Sequence, residues 1–151
     1  MGIEEIISRI AVFSPDEDAE DYEISEFFDE IRENVHKLGG LSEEEQRRLI
    51  KALFRYIRKR DSEEDENFSL IHFIEQIDKS LFDIYYIELF EFNRNHGAIT
   101  SVLLLNRFVN TLDGKEWENG VALLKSIADN PEYPILVKEG AKSFYEFQMG
   151  K

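Results

Sequence analysis

One stretch limits the folds open to this chain more than any other: Ile99–Leu112, ITSVLLLNRFVNTL, its most continuously apolar run. Ile99, Val102, Leu103, Leu105, Phe108, Val109 and Leu112 recur at the three- and four-residue steps of a helix, and Leu104 widens the stripe beyond a single face. A helix apolar on most sides is buried on most sides. The run therefore predicts a central helix with the helices before and after it packed against it.

The flanking segments read as helices as well. In Gly2–Phe13 the stripe is Ile3, Ile6, Ile7, Ile10 and Phe13, and Ser14-Pro15 interrupts it, because proline disfavours helical geometry in the residue before it. Ser14 is then a candidate cap, with Pro15 at the first helical position. A second helix carries Ile24, Phe27, Phe28, Ile31, Val35 and Leu38, closed by Gly39-Gly40 as a left-handed terminus. Ser42 and Glu45 form a capping box at the head of a third helix, which runs to Arg60 with Leu49, Ile50, Leu53, Phe54 and Ile57 on one side. Phe68–Ile77 and Leu81–Asn93 continue the helical spacing; for Ile84–Leu89 a strand is the alternative, weakened by the lack of two-residue alternation. Lys115–Ala128 and Pro134–Phe147 complete the set, and the tail Gln148–Lys151 reads as frayed.

From Leu41 onward the helices group in consecutive pairs at the spacing of helical-pair repeats. The expected fold is all-α: helical pairs stacked as a short HEAT- or armadillo-like solenoid, or a helical bundle. Residues 1–151 read as a single domain, with 1–40 as N-terminal acidic helices and 41–147 as stacked pairs.

Charge narrows the function classes. The 151 residues hold 32 Asp and Glu against 18 Lys and Arg, a net charge of −14. Phosphate backbones and anionic membranes repel such a surface, whereas a basic protein is steered towards it. Neither direct nucleic-acid binding nor membrane binding is expected. The charge is densest in Asp16–Asp21 (DEDAED) and Asp61–Asn67 (DSEEDEN); Arg47, Arg48, Lys51, Arg55, Arg58, Lys59 and Arg60 concentrate positive charge on the third helix, where pairing with neighbouring acidic segments is expected.

No catalytic constellation stands out. Cysteine is absent, which removes disulfides and thiolate chemistry and suits a reducing compartment. His36, His72 and His96 lie at no metal-ligand spacing from one another, and His72, in an apolar segment, reads as partly buried. Glu26 with Glu30, and Glu88 with Glu91, share helix faces but have no partner base. Phosphate-cradling glycine loops and nucleophile elbows are missing. No enzyme activity, cofactor or metal is expected, and a monomer is the expected state. The first residues, MGIEEIISRI, lack the positive start of a secretory signal, so the expected location is the cytoplasm. Binding is the remaining class of function, and Tyr22, Tyr85, Tyr86, Trp117 and Tyr145 are its candidate aromatic anchors, although each taken singly reads first as a core residue with its hydroxyl or indole N–H at the edge.

The segment SVLLLNRFVNTL, followed by WENGVALLKSIADNPEYPILVKEGAKSFYEF, resembles the small helical immunity proteins of bacterial polymorphic-toxin and contact-dependent growth inhibition systems, over roughly residues 68–147. The resemblance implies a cytoplasmic protein that binds one cognate toxin domain, often a basic nuclease, and neutralises it. On that reading Asp16, Glu17, Asp18, Glu20 and Asp21, together with Glu63, Glu64, Asp65 and Glu66, meet the toxin, with Tyr22, Tyr86 and Trp117 as anchors. The alternative is a helical-repeat adaptor or scaffold that holds a peptide or helix of another protein.

Overall fold

A computed structural model describes residues 1–16, 18–60, 67–78 and 83–150. These form helices α1 (Ile3–Val12), α2 (Asp21–Lys37), α3 (Glu43–Lys59), α4 (Phe68–Ile77), α5 (Asp83–Asn95), α6 (Ile99–Val109), α7 (Gly114–Asp129) and α8 (Ile135–Met149), with no strand among the described residues. The all-α expectation holds, and Ile84–Leu89 is helical. The chain divides into two compact units: of the described residues, 1–59 and 67–88 belong to the first, and Arg60 with 89–150 to the second, so that one boundary falls inside α5 between Glu88 and Leu89.

The first unit holds α1 to α4. α1 packs on α3 and α2, and α4 packs on α2 and α3, so each helix has two neighbours in a closed ring. The helices before Leu41 are thus part of the same core as those after it. Ile6 and Ile10, Phe28 and Ile31, Leu49, Ile50 and Leu53, and Ile71 and Ile74 fill its interior without exposure. Phe13, just past α1, stacks on Phe27 with ring centroids 3.7 Å apart and also meets Phe28 and Tyr56, tying the end of α1 to α2 and α3.

Local chemistry sets the helix ends. The capping box at α3 is present as expected: Ser42 N–H donates to Glu45 Oε1 at 2.8 Å, and Glu45 N–H to Ser42 Oγ at 3.1 Å. At α2 the expectation fails. Pro15 does not open the helix, which begins at Asp21 with Glu20 as its cap, and Glu20 N–H donates to Glu23 Oε2 at 3.2 Å. The physical reason is the aromatic stack: Phe13, held against Phe27, is itself extended (φ −68°, ψ 116°), and a turn closed by Ala19 N–H to Asp16 O comes before the helix starts. Buried Asp78 accepts from Tyr85 N–H at 2.8 Å, holding the first turn of α5 to the end of α4.

In the second unit α6 packs against both α7 and α8, and α7 packs against α8. α6 is buried on most of its circumference, as the run predicts, but it stops at Val109, so Leu112 lies in the following turn. Leu104, outside the main stripe, is fully buried, while Leu103 is only half-buried, because two neighbouring helices enclose a wider arc than one stripe describes.

Two buried polar clusters organise this unit. At the α5–α6 turn, the Asn93 amide donates to Leu89 O (3.0 Å) and Ser101 O (3.1 Å), and the Ser101 hydroxyl, 2.9 Å from Asn93 Oδ1, accepts from Ala98 N–H at 2.7 Å. Gly97 supplies the left-handed step there (φ +67°), and a Cβ at this position would fall 2.7 Å from the Tyr133 ring. Tyr133 donates its hydroxyl to Asn93 O at 2.6 Å, and partial burial raises its pKa. The second cluster overturns the frayed tail. Gln148 lies inside α8 at 1% exposure; its amide donates to Asn106 Oδ1 (2.8 Å) and Asn110 Oδ1 (2.7 Å), and its carbonyl accepts from Trp117 Nε1 (3.1 Å). One side chain thereby joins α6, α7 and α8.

Candidate partner-binding surface

The acidic run lies in the first unit, in the connection from α1 to α2. Asp16, Asp18, Glu20 and Asp21 are all exposed. In this connection Phe13 stacks on Phe27 and Ala19 N–H donates to Asp16 O at 2.9 Å. Glu17 and Glu63, Glu64, Asp65 and Glu66 lie outside the described residues.

Asn67 positions the surface next to that run. Buried at the head of α4, it caps the helix by accepting from Leu70 N–H at 3.0 Å. Its amide reaches across to α2, 2.8 Å from Asp21 Oδ1, 3.3 Å from Asp21 O and 3.0 Å from Ser25 Oγ. The two helix starts are pinned together, and the residues that follow each joined position are aromatic and open to solvent: Tyr22 at 60% exposure and Phe68 at 52%. His72, one turn further along α4, has its ring centroid 6.1 Å from that of Phe68 and is exposed, not partly buried as its apolar neighbours suggest. The helix turns it to the outer face while Ile71 and Phe73 face inward.

The counter-charges of α3 are used elsewhere in the unit. Arg48 makes a two-armed ion pair with Glu4 of α1, one arm at 2.7 Å, and this holds the Glu4 carboxyl below the ordinary carboxylate range. Lys51 and Arg47 lie 3.2 and 3.9 Å from Glu88. Glu88 is buried while Glu91 is exposed, so the two do not act as a pair on one face. Lys59 Nζ donates to Ala11 O at 2.9 Å. The expected pairing of the basic helix with acidic partners is thus made by Glu4 and Glu88, and Asp16 and Asp18 form no ion pair with any described residue. Their field is left for something outside the unit.

The chain matches no family model, no curated protein and no solved structure.

The remaining candidates stand differently. Tyr86 is half-buried in the first unit, and Tyr85 is core. In the second unit, Trp117 is half-buried with its indole N–H given to Gln148, and Tyr145 lies beneath Lys125, whose Nζ is 5.3 Å from the ring centre. Among the described residues no three His, Asp or Glu converge as metal ligands would, and no helix is long and apolar enough to cross a membrane. Sequence reasoning missed Phe68 because it continues the apolar stripe of α4. The signal that marks it is the preceding asparagine: a residue directly after an N-cap sits on the open first turn.

Proposed function

We propose that this protein is a non-catalytic binding protein that takes a basic protein partner on the surface around Tyr22, and that the partner is a bacterial toxin domain which it neutralises. The observation that carries the reading is that Tyr22 and Phe68, at the two helix starts joined by Asn67, are exposed beside carboxylates that form no ion pair with any described residue. Aromatic anchors inside a charged rim are the usual make-up of an interface hot spot, and a tyrosine face also attracts Lys and Arg. The toxin, a basic nuclease domain, rests on the resemblance to immunity proteins. A nuclease presents positive surface for phosphate, and carboxylates that occupy it speed association and block substrate. The protein then works in the cytoplasm, where such a toxin acts.

The test is a growth-rescue assay with the toxin domain encoded beside this gene, paired with binding kinetics for Asp18→Lys/Glu20→Lys/Asp21→Lys. Rescue is expected, with the variant associating more slowly at low salt and the difference shrinking as salt rises. Absence of rescue, or an unchanged on-rate in the triple variant, overturns the reading.

A further inference from the structure

A groove of about 270 Å³ opens in the first unit between the C-terminal end of α2 and α4, and it lies apart from Tyr22. Its floor is apolar, made by Val35, Leu41, Phe73 and Ile77. Its polar lining is made by Arg32 and His36, one turn apart on α2, by Gln76 of α4, and by Gln46 of α3, whose amide donates to Leu41 O at 3.0 Å. No acidic residue lines it, in a chain with 32 of them. The side chains of Arg32, His36 and Gln76 make no hydrogen bond or ion pair with any described residue.

The backbone adds donors. Gly39 and Gly40, both at positive φ (+80° and +147°), carry the chain from α2 round the groove to α3, with no side chain over the opening. Gly39 N–H closes the helix on His36 O at 3.2 Å, whereas the N–H groups of Gly40 and Leu41 donate to no described residue. The step from Leu38 (φ −73°, ψ −16°) to Gly39 (φ +80°) is the right-to-left-handed reversal on which backbone anion-binding concavities are built.

We propose that this groove captures the C-terminal carboxylate of a partner chain that ends in an apolar residue. The carboxylate sits between Arg32 and the Gly40 and Leu41 amides, and the terminal side chain lies on Phe73 and Ile77. Backbone capture of a chain terminus is an established recognition mode. The volume is below the roughly 300–1,000 Å³ of drug-sized ligand sites, which limits the occupant to about one residue. A free amino acid is disfavoured, because its ammonium group finds no acidic lining residue. An internal Asp or Glu places its charge and a neighbour's apolar group on separate side chains, whereas a terminal residue carries both.

The experiment is a fluorescence-anisotropy titration of the full chain with two pools of labelled hexapeptides. Both are randomised over the last four positions; one has free C-termini and the other C-terminal amides. Octanoate is the competitor. The free-acid pool is expected to bind at least about tenfold better than the amide pool, as a hydrogen-bonded charge requires. Amide shifts in two-dimensional NMR are expected at Gly40, Leu41 and Gln76. Arg32→Gln is expected to abolish the acid–amide difference while the chain keeps its helical circular dichroism; His36→Gln, on the open rim, is a second variant expected to weaken it. Equal binding of acid and amide pools overturns the proposal, as do shifts confined to other residues or no binding by either pool. Octanoate binding as tightly as the peptides overturns it in favour of a free carboxylic acid. None of these outcomes bears on growth rescue, so the two proposals fail separately.

Discussion

The two units solve the same packing problem with different polar chemistry. In the first, no described polar residue is wholly buried: Gln46, Asn67, Asp78 and Glu88 keep 4–8% exposure, and the ion pairs lie at the surface or its edge, Arg48 with Glu4 and Lys51 and Arg47 with Glu88. In the second, polar side chains enter the interior. Asn93 and Ser101 are fully buried and Gln148 nearly so, each with its hydrogen-bond partners supplied. A satisfied buried amide contributes modestly, but removing it takes a hydrogen bond from each partner, at the greatest cost where the partner is itself buried, as Asn106 is. Surface ion pairs carry no such penalty. The contrast teaches that the second unit is specified by a few polar side chains, and the first mainly by the fit of its apolar faces.

The largest effects should not separate the units. Leu53→Ala in the first and Leu105→Ala in the second each remove a fully buried leucine and should each cost about 2–5 kcal/mol in chemical denaturation. An unchanged midpoint for Leu105→Ala would refute the central role of α6. The sharper separation is Gln148→Ala, which leaves Asn106, Asn110 and the Trp117 indole short of a partner and should cost about 1–3 kcal/mol. If it melts with the wild-type chain, the comparison between the units breaks.

Two glycine substitutions test how tightly the second unit is packed. A Cβ at Gly120 would lie 2.5 Å from Val109 Cγ2, where α7 crosses α6, whereas one at Gly140 on α8 meets nothing within 4 Å. Gly140→Ala should stabilise by about 0.5–1 kcal/mol through reduced chain entropy. Gly120→Ala should lose stability, because overpacking of about 1–3 kcal/mol outweighs that gain. Equal thermal shifts for the two would show that Val109 yields freely.

The smallest effect belongs to Glu4. Its folded pKa is lowered by Arg48, so the stability it adds is present above the ordinary carboxylate range and is lost as pH falls through the lowered value. Glu4→Gln should therefore differ from wild type slightly at neutral pH and not at all in strong acid. A pH-independent difference in melting temperature would assign the contact to packing.

Several elements were legible from local pattern alone. The capping box at Ser42, the limits of α4 and the wide burial of α6 all follow from interactions within a turn or two of helix. The misreadings share one cause, which is that the deciding partner is far along the chain. Gln148 opens the last four residues, QMGK, and looks frayed until Asn106 and Trp117 meet it. Pro15 looks like a helix start until Phe13 stacks on Phe27 and draws the chain past it. In the candidate surface, the acidic run and Tyr22 were visible as residue types, while Phe68 entered only when Asn67 bridged to Asp21.

The amino-acid sequence by itself determined that this protein is helical, where most of its helices begin and end, and that its charge is acidic overall. Those properties depend on side-chain spacing, capping and composition, which act locally or in sum. The tertiary structure decided which acidic groups are neutralised and which remain open, that α1 lies on α3 and α2 on α4, and that an acid-free groove forms beside Arg32. Those outcomes depend on which distant side chains are brought within hydrogen-bonding distance, and helical periodicity carries no information about that.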